Sequence, residues 1–382
     1  MATPQILVLG AGAAGSAAAR SLAARDDVRV TLVTQTRETP YTRMLIKGVA
    51  FGPTSPELIK LPLPDIEVIA DTVVGVKPSV QVVQLASGVQ LAYDALIVAT
   101  GSKPRPLTTT VIHRETSANR GRVGTLHSLE DALGIREALT SLGRPARVAI
   151  YGGGIIAAET VSSLHADGHT AILISRSQIP GIGAFGAPMA ERIANDHVAT
   201  VQTRFGHTIQ RVDESASGVT ITLDHGNPVL ADFLLVALGT IPSGPAPWTD
   251  GVDVDDRLRS QVTQVYAAGG VATHRDEALG TWRIDHWEDA AAQGAHAAQV
   301  VLHDLGIEDD PGAYLPRSPY LAMVHGRVIS GVGYTGGTAS RFEDGDEFVV
   351  RHEKGGVVVG VSGVDAVGTV YQWGQRLHTV SV

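Results

Sequence analysis

Two glycine clusters are the residues whose types and spacing point most directly to chemistry. Gly10-x-Gly12-x-x-Gly15 follows the apolar run Ile6-Leu7-Val8-Leu9 and precedes a helical pattern from Ser16 to Ala24. In that setting the first glycine permits a tight turn, the second lets the backbone approach a pyrophosphate, and the third lets helix pack on strand. Ala13 and Ala14 then stand at the start of the helix, where free amides face an anion. Gly152-x-Gly154-x-x-Ala157 repeats the pattern after Arg147-Val148-Ala149-Ile150-Tyr151, with the permitted alanine in third place and Ile155 and Ile156 opening a helix that runs to Ala166. Two copies predict two dinucleotide sites.

The end of the second strand in each copy discriminates between nucleotides, because a carboxylate there normally binds the ribose hydroxyls. The first copy runs Val28 to Val33 and ends in Thr34-Gln35, with no acid in place and Glu38 displaced along the chain. The second ends in Ile174-Ser175-Arg176-Ser177. A guanidinium flanked by hydroxyls suits a 2′-phosphate better than a free diol, which favours NADPH over NADH. The competing reading of Arg176 is an ordinary solvated residue after a strand.

The elements around these clusters form a repeat at the level of the fold. Each βαβ start is followed by a strand-rich stretch that closes in an apolar strand meeting a glycine, Ala95-Leu96-Ile97-Val98-Ala99-Thr100-Gly101 in the first copy and Phe233-Leu234-Leu235-Val236-Ala237-Leu238-Gly239 in the second. A third apolar strand, Val265-Tyr266-Ala267-Ala268-Gly269-Gly270, precedes a helix expected from His286 to His303. Beyond Pro311, Pro316 and Pro319 the pattern changes to strand-like runs at Arg327 to Val332, Glu347 to His352 and Val357 to Val361, separated by glycine turns. The expected fold is α/β: two Rossmann-like domains, the second inserted in the first, with a small C-terminal α+β domain. The boundaries read as 1–122 and 243–312 for an FAD-binding domain, 123–242 for an NAD(P)H-binding domain, and 313–382 for the C-terminal interface domain.

Length and composition agree with a multi-domain enzyme. The 382 residues are 44% hydrophobic and 18% charged, and the 43 glycines are spread over many turns rather than gathered in a low-complexity tract. A net charge of −9 without any basic block leaves no footprint for counterion-release binding, so nucleic acid is set aside. No basic leader precedes the first strand and no apolar run reaches the roughly 18 residues that span a bilayer, so a cytoplasmic protein without a membrane span is expected. Cysteine is absent, which excludes disulfides, thiolate metal sites and any dithiol relay within these residues. The 14 histidines are scattered, His286 and His296 lack the spacing of a zinc pair, and no metal site is expected.

At this point the chain resembles the pyridine-nucleotide and FAD-dependent reductases, in particular their Cys-free ferredoxin or rubredoxin reductase branch. The resemblance spans nearly the whole chain and rests on the two glycine motifs, Pro40-Tyr41-Thr42-Arg43, Ala99-Thr100-Gly101-Ser102-Lys103-Pro104, Glu159, Ala237-Leu238-Gly239-Thr240-Ile241-Pro242, Tyr266-Ala267-Ala268-Gly269 and Arg283-Ile284-Asp285-His286-Trp287-Glu288-Asp289-Ala290. Phe348-Val349-Val350-Arg351 is similar to the branch's C-terminal domain. The resemblance implies that Arg43, Thr100, Gly101, Gly269, Gly270, His286 and Trp287 neighbour the flavin. It implies that Glu159, with Gly239 at the matching strand end, neighbours the nicotinamide, and that Arg43, Glu159 and Trp287 stand nearest the reacting rings. Trp287 as a core aromatic and Arg43 as a surface ion-pair partner are the bland alternatives. Lys47 falls about one place from a lysine common in the family and is given no role.

Two departures from the family pattern bear on affinity. Its Ala-Gly-Asp, whose carboxylate usually grips the flavin ribityl chain, reads Ala268-Gly269-Gly270, and the ribose carboxylate is missing at Thr34. At about 1.5–3 kcal/mol for each hydrogen bond to a charged group, the two losses remove roughly 3–6 kcal/mol if additive, taking a nanomolar site toward micromolar. FAD is therefore expected, but weakly held. Without a cysteine pair, electrons from NADPH must leave the flavin for an external acceptor, which the resemblance implies to be a ferredoxin or other small redox protein. Three alternatives stay open: a quinone-type flavoprotein reductase, which a strand-like tail ending Thr379-Val380-Ser381-Val382 argues against; a nucleotide-binding protein without redox function; and an enzyme that uses NADPH without flavin. The oligomeric state is not legible.

Overall fold

A computed structural model describes residues 3–107, 111–114, 121–344 and 347–379. It divides into two compact units. One comprises Met1–Met44, Ile59–Lys103 and Thr240–Ser318, and the other Leu45–Leu58, Pro104–Gly239 and Pro319–Val382.

The first unit is built on a five-stranded parallel sheet in the order Val265–Ala267, Ala95–Val98, Gln5–Leu9, Arg29–Thr34, Glu67–Ala70. Its central strands are continuous apolar runs because both faces are covered: Ile6 to Leu9 and Leu96 to Val98 are at most 1% exposed. The helices Ala13–Ala23 and Trp287–Asp304 cross backbone to backbone, since a Cβ on Gly294 would lie 2.0 Å from the Ala14 carbonyl oxygen. The Gln5–Leu9 strand has its covalent successor Arg29–Thr34 on one side and the later strand Ala95–Val98 on the other. That reversal of strand order opens a crevice at the carboxyl ends of the strands.

The second unit repeats the arrangement with Val123–Gly124, Phe233–Ala237, Arg147–Gly152, Thr170–Ser175 and Gln202–Phe205, again all parallel. The helix Ile155–Ala166 follows its glycine turn over the residues that the apolar pattern predicts. A separate core fills the space between this sheet and a smaller sheet, with Ile174, Val212, Ile221 and Leu234 each buried.

The C-terminal stretch is a five-stranded antiparallel sheet in the order Pro319–Val324, Arg327–Gly333, Val357–Val364, Glu347–Lys354, Thr338–Asp344. Pro319, read from sequence as a junction, is the first residue of an edge strand, a place where a missing amide is tolerated. The inner face of this sheet shares a core with the helix Ala187–Thr200, through Met189 and Ile193 against Ala322, Val324 and Val350. The strand-like tail is corrected. Asp365 takes a left-handed φ of +55°, ending the strand Val357–Val364, and the chain turns into the short helix Val367–Gln372, whose Val370 packs with Val332 and Val361. Val380–Val382 lie outside the described residues. Among the described residues no helix is long and apolar enough to cross a membrane.

Candidate functional site

In the first unit, the turn from Gly10 to Gly12 joins the central strand to the helix Ala13–Ala23. Gly10 has φ +100°, and a Cβ there would lie 2.5 Å from the Ala99 carbonyl oxygen, so no side chain fits. Gly15 packs equally closely on the Gly10 carbonyl, at 1.8 Å. Gly12 differs, because a Cβ there would meet nothing within 4 Å. It faces the crevice at the helix N-terminus, where no side chain caps the helix and the first turn carries no acid. Ala13 and Ala14 therefore present amide donors and a positive dipole end without a competing protein group.

The second unit reproduces these features in detail. A Cβ on Gly152 would lie 2.1 Å from the Ala237 carbonyl oxygen, while one on Gly154 would meet nothing. The helix beginning at Ile155 again has neither a side-chain cap nor an acid in its first turn, and Ile156 is left 39% exposed beside the turn. Gly101 and Gly239, which end the matching closing strands, share a φ of +77° and open surroundings. Two uncapped helix starts behind crevice-facing glycines fit the diphosphates of two dinucleotides.

Thr34 lines a cavity of about 720 Å³ whose wall also includes Arg37 and Glu38. Gln35 is exposed and does not line it. Glu38, four residues beyond Thr34, thus shares the wall of the same cavity. Thr100 is fixed through its hydroxyl, which donates to the Ser243 carbonyl at 2.6 Å, while Gly101 accepts the Ser243 amide at 3.0 Å.

Gly269 and Gly270 are buried in a short 3-10 turn. The Gly269 amide donates to Gln293 Oε1 at 2.8 Å, Gln293 donates to Asp289 at 2.6 Å, and the Tyr314 hydroxyl donates to Asp289 at 2.8 Å. This buried relay locks the turn to the helix Trp287–Asp304. His286 is the N-cap residue of that helix and Trp287 its first residue, only half-buried, so Trp287 is not a core aromatic. The buried tryptophan is Trp282, stacked on His274 at 3.7 Å. Burial holds the His286 imidazole below its usual range, against the Asp285 charge. Arg43 begins a short 3-10 helix, and its charge acts on Asp285.

Glu159 lies one turn into the second nucleotide helix with its side chain 8% exposed. Its carboxylate accepts a charged hydrogen bond from Lys47 and the Met323 amide at 3.3 Å. The Lys47–Glu159 pairing is one that sequence spacing does not show, since 112 positions separate the partners. Ser175 is buried at the end of its strand and accepts the Ser177 amide at 3.2 Å. Arg176 is exposed and makes no ion pair among the described residues. The fold also gathers one histidine group that linear spacing does not show: ligand atoms of His207, Asp224 and His225 lie within 4.8 Å of one another at two turns.

Comparison with known proteins bears on this geometry. Residues 4–294 match the family model described as pyridine nucleotide-disulphide oxidoreductase. The chain is 28% identical over 360 residues to rubredoxin-NAD(+) reductase of Pseudomonas putida, covering 86% of each protein. It is 27% identical over 348 residues to the epsilon subunit of NADH-dependent phenylglyoxylate dehydrogenase of Aromatoleum evansii, covering 85% of this chain and 76% of that one. In fold it resembles a crystal structure of a ferredoxin reductase from Rhodopseudomonas palustris, with a TM-score of 0.83 and 21% identity over 98% of this chain and 94% of that one. With two matching nucleotide-binding turns and a family match across 4–294, the chain belongs to the pyridine nucleotide-disulphide oxidoreductase family, as a member without cysteine.

Proposed function

We propose that the chain is a flavin-dependent NAD(P)H oxidoreductase that passes electrons from a nicotinamide nucleotide to an external small redox protein such as a ferredoxin. The observation that carries this reading is the duplicated turn, in which Gly12 and Gly154 each leave an open approach to an uncapped helix start. FAD, when bound, supplies the exchange between a two-electron donor and one-electron acceptors. Gly10, Gly12, Gly15, Ala13 and Ala14 would hold its diphosphate, with Glu38 and Thr34 beside the ribose. Thr100, Gly101, Gly269, Gly270, Arg43, His286 and Trp287 are the residues proposed along the flavin. Glu38 on the wall of the Thr34 cavity and Asp285 beside Gly270 support ordinary rather than weakened FAD binding.

Gly152, Gly154, Ile155, Ile156 and Gly239 would form the nicotinamide-nucleotide site, with Glu159 held by Lys47 as the polar group beside the nicotinamide. The lack of cysteine directs electrons outward, and the rubredoxin and ferredoxin reductases among the similar proteins support a small protein acceptor. Steady-state reduction of a ferredoxin and of ferricyanide by the purified protein tests this reading. Activity with neither acceptor overturns it.

The finer assignment is NADPH, carried by Arg176 between Ser175 and Ser177, which is exposed and without an ion pair among the described residues. NADH is the second reading, favoured by relatives whose names specify NADH or NAD(+). Arg176→Ala decides between them. If NADPH is used, its kcat/KM falls about 10- to 100-fold, the equivalent of one charged hydrogen bond, while that for NADH holds. If NADH is preferred by the wild type and neither value moves, the NADPH assignment is wrong.

A further inference from the structure

We infer that Asp285 supplies the carboxylate that position 270 lacks, reaching from the start of the helix Trp287–Asp304 to accept hydrogen bonds from the polyol chain of the bound flavin dinucleotide. This rests on the flavoprotein reading above and assigns a further binding residue within it. The geometry is direct. A Cβ built on Gly270 would lie 2.7 Å from Asp285 Oδ1 and 3.1 Å from its Cγ. The Asp285 carboxylate therefore already occupies the space that a side chain at 270 would enter, delivered from a different segment of chain.

The carboxylate is also held in a defined orientation. Ser102 Oγ donates to its Oδ2 at 2.6 Å, the Thr240 hydroxyl donates to the same oxygen, and the Arg283 guanidinium approaches that oxygen at 3.3 Å. All of these contacts fall on Oδ2, so among the described residues Oδ1, the oxygen beside Gly270, keeps its lone pairs available. Arg283 donates in turn to the carbonyls of Gly270 at 3.1 Å and Thr240 at 2.8 Å, tying the 269–271 turn to the residues that fix the acid. The side chain is 28% exposed, open enough to meet a ligand. Burial raises its pKa, but the two hydroxyl donors and the charges of Arg283 and Arg43 outweigh burial and hold the group below the ordinary carboxylate range. It is an anionic acceptor at neutral pH. Glycine at 270 is then a requirement of this arrangement rather than a loss, because any side chain there displaces Asp285.

FAD titration of the flavin-stripped full chain, read as quenching of flavin fluorescence, tests the inference independently of turnover. Asp285→Ser should weaken binding about 10- to 100-fold, and Asp285→Asn, which keeps an acceptor oxygen, should weaken it less. Gly270→Asp alone should weaken binding at least about tenfold, because two carboxylates then compete for one space. Combining Gly270→Asp with Asp285→Ser should restore affinity to within about tenfold of wild type, since the acid has only changed its point of attachment. A recovery of that kind cannot come from a misfolded variant. Wild-type FAD affinity in Asp285→Ser, or no recovery in the double variant, overturns the inference and leaves the flavoprotein reading standing. If the wild-type chain itself binds no FAD, both fall.

Discussion

Lys47→Met removes a charge while keeping most of the side chain's bulk, and it isolates the pairing that holds Glu159. The Glu159 carboxylate is 8% exposed and has two donors, the Lys47 ammonium and the Met323 amide at 3.3 Å. Removing one partner of a fully buried pair costs about 3–5 kcal/mol, whereas exposed pairs are worth about 0.2–1 kcal/mol. Lys47 is 35% exposed, so solvent screening places this pair between those limits, and about 2 kcal/mol is the expected loss. Glu159→Gln on the Lys47→Met background should recover about 1 kcal/mol or more, because the neutral amide can still accept the Met323 N–H and leaves no buried charge without a partner. Urea denaturation of the four proteins in the double-mutant cycle, with unchanged m values, gives the coupling energy. A coupling below about 0.5 kcal/mol would show that the pair does not hold Glu159, and the assignment of Lys47 would fail.

Two further predictions address ligand sites and pH. Gly12→Leu should abolish FAD binding and Gly154→Leu nicotinamide-nucleotide binding, each with little change in thermal stability, because a Cβ at either position meets no protein atom within 4 Å and the backbone φ values of −73° and −84° suit any residue. Loss of folding instead would mean that the open space is not a ligand path. Buried histidines set the second. Burial and the neighbouring His325 push His197 down to about 3, and burial pushes His274 and His352 down to about 4, so all three are neutral in the folded protein at pH 5 but protonated in the unfolded chain below about 6.5. Unfolding then takes up protons, and stability should fall as pH drops from 6.5 to 5, by up to about 1.4 kcal/mol per pH unit for each histidine. Urea titrations at pH 7, 6 and 5 measure this, and His352→Gln should make the slope shallower by that one histidine's share. A flat profile across that window would contradict the depressed values.

The sequence-legible part of the fold is the part governed by local periodicity and turn chemistry. Ile155–Ala166 and the apolar strands of both sheets follow from apolar patterning, and the roles of Gly10 and Gly152 follow from the close backbone approaches that their strand-to-helix turns require. The helices Leu129–Thr140 and Ala187–Thr200 were not anticipated, although the Ser128 and Asp131 capping box and Pro188 in the first turn are local start signals for them.

What remained hidden depends on contacts between distant segments. Glu38 stands out of register by counting, yet it lines the same cavity as Thr34. Asp285 beside Gly270 and Lys47 beside Glu159 are likewise through-space pairings that no motif at either position encodes. Thr34 and Gly270 therefore each have an acidic neighbour, Glu38 and Asp285, that fixed positions along the chain do not show.

The central claim is that the Gly10 turn holds a flavin that a nicotinamide nucleotide at the Gly152 turn can reduce. Anaerobic addition of NADPH or NADH to the FAD-loaded protein, followed by absorption in the flavin's visible band, tests it most directly. Bleaching of that band by at least one of the two nucleotides, lost in Gly154→Leu while FAD stays bound, is the predicted result. A chain that acquires no flavin band at saturating FAD, or one whose bound flavin neither nucleotide bleaches, would contradict the account.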